Sequence, residues 1–278
     1  MIIALVLAAY ALVSLLVGPQ ILTRGDWRIF RPRLCLSLWY AVFLSGVLAA
    51  VGSGGIGIWL GWRIQVEQSY SADLLASTFG FRPTPGIDTV VRVTGIVLGW
   101  TTLAVAGAVI SLVATRAREL IGDQRRLRAD LGAVIARSGY RREQIDGLSV
   151  TYVAGRRSVA CSLGGRTAEV IVSADLDLRL SSGELRAIIE HERAHLRSIH
   201  LLVSRLAMLN RACFPQIRAA RQLTRATALL IELIADDAAV RRCGRADLIS
   251  ALSKLANHSE TGGDDVLALR AERLALAA

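Results

Sequence analysis

Lysine is nearly missing from this sequence: of 33 basic residues in 278, Lys254 is the one lysine, which reads mainly as genomic base composition. Paired cysteines are missing too. Cys35, Cys161, Cys213 and Cys243 stand singly, without CxxC spacing, so neither a disulfide framework nor a thiolate zinc cluster is expected, and they read as small apolar packing residues. Charge is absent from three long runs: residues 1–23, 34–62 and 93–115 contain no Asp, Glu, Lys, Arg or His. Each is long enough to cross a bilayer, which takes about 20 helical residues. The first run also lacks the basic n-region and small-x-small cleavage site of a signal peptide, so it reads as a retained span.

What is present pulls two ways. The net charge is +10, yet 53% of the chain is hydrophobic and its mean hydropathy is +0.45. So apolar a composition excludes a disordered basic tail. No aromatics interleave with Arg116, Arg118, Arg125, Arg126 and Arg128, so direct nucleic-acid binding rests on charge alone and is not expected. The arginines instead mark topology. Arg24, Arg28, Arg31 and Arg33 crowd the first loop, whereas residues 63–92 mix Glu67, Asp73 and Asp88 with three arginines. Because short loops rich in Lys and Arg stay inside, the N-terminus and the loop 63–92 are expected outside and everything after residue 115 in the cytosol. Gly52, Gly54, Gly55 and Gly57 in the second run read as close helix packing rather than a phosphate loop, which needs a strand before it and a helix after.

Beyond the runs, residues 116–137 read as an amphipathic helix ended by Gly139. Three short β-branched stretches, SVTYVAG, SVACSLGG and TAEVIVSA, follow with glycine-bearing breaks between them, predicting a three-stranded antiparallel meander. Ser181 and Glu184 form a capping box that opens a helix over 182–199. A further helix is expected from Pro215 to just before Gly244. The segment 199–214 is apolar but carries Arg205 and Arg211, which predicts an interfacial helix rather than a span.

The residues that carry chemistry are His191-Glu192-Arg193-Ala194-His195. Two His at i and i+4 share a helical face about 6 Å apart, so both imidazoles can reach one Zn²⁺, with the Glu beside them to activate water. The helical wheel adds an independent argument. Arg186, Glu190, Arg193 and Arg197 fall on one side, whereas Glu192 falls among Leu185, Ile189 and Leu196. A carboxylate on an apolar face is expensive unless something uses it. A catalytic zinc takes a third protein ligand. Glu232 is the candidate, within an apolar stretch, and Asp236 one turn later would accept the N–H of a ligand His. His200 is the rival; on a continuous helix it points roughly 140° from His195, and it becomes a transition-state donor if the helix stops before it. His258 reads as a surface loop residue. The expected chemistry is hydrolysis of a peptide bond with Glu192 as base.

These residues resemble the integral-membrane zinc peptidases of the β-lactam-sensor, or antirepressor, type, through 180–184 (LSSGE), 189–197 (IEHERAHLR) and 232–240 (ELIADDAAV). CAAX-processing and heat-shock membrane peptidases share the HExxH and later ExxxD. The resemblance implies a gluzincin site of His191, His195 and Glu232 with Glu192 as base, in regulated cleavage of a cytosolic repressor or of the protein itself. The chain departs from it in having Arg197-Ser-Ile-His200 where many relatives carry an Asp, and no extracytoplasmic sensor domain is expected.

The expected fold is thus a mainly α membrane protein: three N-terminal transmembrane helices (1–115), an amphipathic linker (116–147), and a cytosolic α+β zincin-like domain (148–278) with a small antiparallel sheet and the HExxH helix. Zn²⁺ is the expected cofactor. The expected partners are the plasma-membrane bilayer, a protein substrate such as a transcriptional repressor, and a separate sensor subunit or a second copy. The alternative is an inactive membrane signalling scaffold that retains the motif. One tension accompanies this: Arg218, Arg221 and Arg225 make a lipid-suited stripe on the face that also carries Glu232. Either the cleft opens near the membrane surface or the helix bends between Arg225 and Glu232.

Overall fold

The computed structural model describes residues 2–17, 27–79, 87–155, 157–164, 168–196, 198–257 and 264–276. Arg197 and His258, read above as a charged-face and a loop residue, lie outside them. The chain divides into two units, Met1–Leu22 with Leu38–Arg116 and Thr23–Ser37 with Ala117–Ala278.

The first unit is helical. Helix α1 spans Ile2–Leu16, and the short α2, Trp27–Phe30, belongs to the second unit. Helix α3 runs Pro32–Phe79 and α4 runs Ile87–Ser138. Tyr10 and Ser45 hydroxyls, 2.9 Å apart, tie α1 to α3. Of the three runs read as spans, only the second supplies a helix long and apolar enough to cross a membrane among the described residues, Pro32–Trp59. Helix α1 covers 15 described residues of the first run, Ile2–Leu16. The third run is not a separate element but the first half of the 52-residue α4, which absorbs the expected linker. The expected loop 63–92 is helical to Phe79 and again from Ile87. Its charges misled, because residues 63–79 contain no glycine or proline to stop a helix, and these come at Gly80, Pro83, Pro85 and Gly86.

In the second unit α4 stops where a Cβ on Gly139 would lie 2.6 Å from the Ile135 carbonyl oxygen, so glycine there lets the chain leave the helix. Strand β1, Gly139–Ile145, turns through Asp146-Gly147 into β2, Leu148–Val153. Both turn residues have positive φ, 50° and 76°, as two-residue hairpins of matching twist require. Strands β3, Ala160–Leu163, and β4, Glu169–Ser173, complete a sheet of order β1-β2-β4-β3.

This sheet is mixed, not the expected antiparallel meander. Strand β2 pairs in parallel with β4, and β3 pairs antiparallel with β4 at the edge. Burial gives the reason: β2 and β4 are nearly all interior, with Val150, Val170 and Val172 at 0% exposure, and strands apolar on both faces take central places. The half-buried β3 is left as the edge, next to the following helices.

Short α5, Ala174–Arg179, leads into α6, Ser182–His195, whose capping box forms as read. Helix α6 was expected to reach Ile199, but it ends with Leu196 as C-cap, and a new helix, α7, covers Ser198–Cys213. Tertiary packing sets this break. The buried side of α7, with Val203, Ala207 and Cys213, lies along α8, Arg218–Cys243, where Thr224 Oγ1 donates to the Ala207 carbonyl at 3.1 Å. So the segment 199–214, expected at the membrane interface, has one face in the protein interior, while Arg205 and Arg211 stay exposed. Helix α8 begins three residues after Pro215 and runs unbroken to Gly244. Helices α9, Arg245–Ala256, and α10, Asp264–Leu276, close over α6 and the sheet, and Leu248, Leu252 and Leu274 join the core of Val150, Tyr152 and Ile189.

Candidate metal centre

Three helices build the site. Helix α6 brings His191, Glu192 and His195, α8 brings Glu232 and Asp236, and α10 brings Arg270. The position of α6 is fixed at its N-terminus. Glu184 accepts from the Ser181 N–H at 2.7 Å and from Lys254 Nζ at 2.7 Å, and Ser250 also donates to it. The chain's one lysine thereby ties α6 to α9 and favours the ionised Glu184. Burial works against that charge, but the Lys254 and Ser250 hydrogen bonds outweigh it and lower its pKa to about 2.

At the other end of α6, His191 and His195 turn toward Glu232. Their Nε2 atoms are 3.1 Å apart, His191 Nε2 is 3.3 Å from Glu232 Oε2, and His195 Nε2 is 3.4 Å from Glu232 Oε1. Among the described residues this is the group of three that could hold a metal ion. A tetrahedral ion with bonds of about 2.0–2.1 Å to His and carboxylate needs ligand atoms about 3.3–3.4 Å apart. The two His Nε2 atoms, 3.1 Å apart, are close to that edge, Glu232 brings one oxygen near each ring, and two imidazoles with one carboxylate form a donor set suited to a catalytic zinc with an open fourth position. The residues therefore fit the metal. Asp236 is fully buried and receives His191 Nδ1 at 2.9 Å, which fixes the ring and leaves Nε2 for the ion.

Arg270 was not read from the sequence. It is 7% exposed and grips Asp236 with Nε at 2.9 Å and Nη2 at 2.7 Å, while Nη1 lies 3.0 Å from Glu232. One guanidinium thus spans Glu232 and Asp236 of α8, neutralising charge that would otherwise be prohibitive to bury. The test that singled out Glu192 would have found it, for Arg270 sits between Leu267 and Leu274 at helical spacing. A second miss is Arg273, which reaches Asp237 at 2.6 Å and the Leu233 carbonyl at 3.2 Å.

The electrostatics follow from these contacts. Burial alone would discharge His191, but its hydrogen bonds to Asp236 and Glu232 raise its pKa to about 9. Burial, then the neighbouring His191 charge, draw His195 down to about 4. Burial works against charge on Glu232 and Asp236 as well, yet His191 and Arg270 hold each at about 2. Glu192 goes the other way: burial pushes its carboxyl above the usual range, opposed by the His191 charge and by the hydroxyl of Ser162 on β3. Glu190, on the charged side of the helical wheel, is buried at 3% exposure between Arg193 and Arg242, each 3.2 Å away. His200 is also buried. Since α6 stops short, its ring lies 6.0 Å from that of His195 instead of pointing away.

A helix bearing HExxH beside an edge strand, with a third acidic donor from a later helix and a buried carboxylate behind the first histidine, has the architecture of a metallopeptidase. The comparison with known families agrees: residues 122–251, just under half of the chain, match the model of Peptidase family M48. The protein is accordingly a metallopeptidase, a hydrolase of peptide bonds. The matched model is that of M48, and the β-lactam-sensor group named above is not the one it identifies. No curated protein matches the chain. The match ends inside α9, so α10 and Arg270 lie beyond it.

Proposed function

We propose that this chain is a membrane-associated, zinc-dependent endopeptidase in which His191, His195 and Glu232 hold the ion, Glu192 is the base and Asp236 orients His191. The observation that supports it best is the convergence of His191, His195 and Glu232, whose ligand atoms lie within 4.8 Å of one another. A zinc ion bound there supplies Lewis acidity, acidifying water and polarising the scissile carbonyl. Glu192 takes the proton from the attacking water and delivers it to the leaving amine, and its raised affinity for protons suits that exchange. The edge strand β3 offers its free side to an extended peptide, a mode that tolerates varied side chains. His200, buried 6.0 Å from the His195 ring, is a candidate donor to the developing oxyanion.

Membrane association is supported by Pro32–Trp59 and by apolar side chains left in the open: Leu48, Val51, Trp100 and Ile110 are each 68–70% exposed. Lipid chains satisfy such surfaces and water does not. The full reading has three spans, the N-terminus outside and the peptidase domain in the cytosol. The unbroken α8 favours a cleft near the bilayer surface, since Arg225 and Glu232 are about 10 Å apart along the axis. The substrate in this reading is a cytosolic or membrane-proximal protein, cleaved in a signalling step such as removal of a repressor.

Metal analysis and cleavage assays on the purified full chain test the core of the proposal. Glu192→Gln retains one zinc and loses cleavage, and His195→Ala loses both. Equal turnover by Glu192→Gln, or zinc content unchanged in His195→Ala, overturns it. Proteomics of cells carrying wild type or Glu192→Gln then identifies the substrate as a protein stabilised only in the variant.

A further inference from the structure

Past Arg116, helix α4 runs on through residues 117–138 before Gly139 ends it. No other element packs extensively along these turns among the described residues, yet they carry six large apolar side chains. Leu127, Ile121 and Val134 are 60%, 50% and 47% exposed, and Leu120, Leu131 and Ile135 are half-buried. We propose that this segment is a self-association stalk, which pairs with the same segment of a second copy of the chain as a parallel two-stranded coiled coil. The inference goes beyond the peptidase reading and is independent of it; the parallel sense rests on the membrane reading above.

Spacing is the first argument. Leu120, Gln124, Leu127, Leu131, Val134 and Ser138 follow one another at alternating intervals of four and three, the repeat that keeps one seam facing a partner helix. Ile110, Val113 and Ala117 precede them at the same spacing, so the seam runs through about four heptads, the length at which such a repeat indicates a coiled coil. In this register Ile121 and Ile135 stand directly beside the seam, and the opposite side holds Arg118, Gly122, Arg125, Ala129, Gly132 and Ala136. A Cβ on Gly122 or Gly132 would meet nothing within 4 Å, so that outer side is open.

Charge is the second. Asp123 flanks the seam on one side and Arg128, five residues on, flanks it on the other. In a parallel pair these two positions face each other across the interface, and the two-fold axis repeats the contact. Within its own chain Asp123 is 72% exposed with Arg126 3.8 Å away, a solvated contact that holds it weakly. Gln124, set between Leu120 and Leu127, offers an amide that meets its counterpart when the two helices are in register. The same charges disfavour a lipid surface, because Asp123 and Asp130 border the apolar stripe where anionic headgroups would have to approach. Copies held in one bilayer share a topology, so these helices leave it side by side and run the same way. Their confinement raises the effective concentration at which a short seam pairs.

The test has two arms on the full chain in its membranes. In the first, single cysteine substitutions are oxidised with copper phenanthroline, and covalent dimers are read against the wild type with its four cysteines. Leu120→Cys, Leu127→Cys and Val134→Cys are each expected to cross-link at least about 10-fold more than Gly122→Cys and Ala129→Cys on the outer side, since a disulfide requires Cα atoms within about 7 Å. Equal cross-linking on both sides overturns the proposal, as does none on the seam. Cross-links between copies carrying Leu120→Cys and copies carrying Val134→Cys, without self-cross-links at either position, show an antiparallel pair and overturn it too. In the second arm, dissociation is followed by energy transfer between donor- and acceptor-labelled copies in liposomes. Leu127→Glu raises the dissociation constant by about 100-fold or more, and unchanged circular dichroism shows that the single chain still folds. Asp123→Arg raises it about 5- to 10-fold, and adding Arg128→Asp restores it. Absence of that rescue refutes the facing of Asp123 and Arg128 and with it the parallel register. Carbonate extraction reads the tether separately: seam cross-links in a chain that carbonate releases refute the membrane reading and retain the pairing, whereas a retained chain without seam cross-links does the reverse.

Discussion

The pairing of Arg270 with Asp236 lends itself to a quantitative test. Asp236 is fully buried and Arg270 nearly so, and two hydrogen bonds of 2.7 and 2.9 Å join them. Replacing Arg270 by methionine keeps the length of the side chain while stranding Asp236 and Glu232 with His191 as the remaining buried cation. Breaking a buried pair by removing one partner costs about 3–5 kcal/mol. For a domain of this size that is a fall in Tm of roughly 6–20 °C. Asp236→Asn removes the other partner and leaves Arg270 with Glu232 alone. If the two act as one unit, Arg270→Met with Asp236→Asn loses at least about 2 kcal/mol less than the two single losses combined. None of the five tryptophans lies on α6, α8 or α10. Hydrogen exchange across α8 and α10, with thermal melts by circular dichroism on metal-stripped protein, gives the readout. Additivity within about 0.5 kcal/mol, or an Arg270→Met loss below about 1 kcal/mol, would refute the reasoning.

Two further outcomes follow from the pKa shifts. The folded pKa of Glu184, about 2, is depressed below its ordinary value. Its stabilisation is therefore present above about pH 4.5 and lost as pH falls toward 2. Glu184→Gln should cost about 1–2 kcal/mol at pH 7, allowing for solvent beside Lys254, with the difference from wild type closing as pH falls from about 4.5 toward 2 in chemical denaturation; a gap independent of pH contradicts this. Glu192 has the opposite sign. Its folded pKa is raised by burial, so the folded state holds its proton more tightly and stability is lost as pH rises. Metal-stripped Glu192→Gln should melt above wild type at pH 7, with the advantage shrinking toward pH 4. A lower melting point at pH 7 would mean that Glu192 is structural rather than held at a cost for catalysis.

Much of the site could be read because its information is local. His191 and His195 meet through the i,i+4 geometry of a single helix, Ser181 and Glu184 cap that helix within one turn, and Glu232 and Asp236 repeat the same spacing on α8. The pattern reading failed where charge was taken for structure. Residues 63–79 were read as a loop for their charges although nothing in them stops a helix, and β1 was overlooked because its exposed, charged side chains hide a strand. The Asp146-Gly147 turn that marks the hairpin was there to be seen.

Residue pattern alone determined that an HExxH helix exists, which carboxylate stands at its own cost on an apolar face, and that one long run can cross a membrane, because helix periodicity and burial cost act over a few residues. Only tertiary structure decided the rest. Arg270 reaches its place 34 residues from Asp236, β2 joins β4 in parallel across an intervening strand, α6 stops at His195 where α7 packs on α8, and a cavity beside the site is lined from five helices and the start of β3. Each depends on which distant surfaces bury one another, a competition among all the apolar faces of the domain that no single stretch of the chain contains.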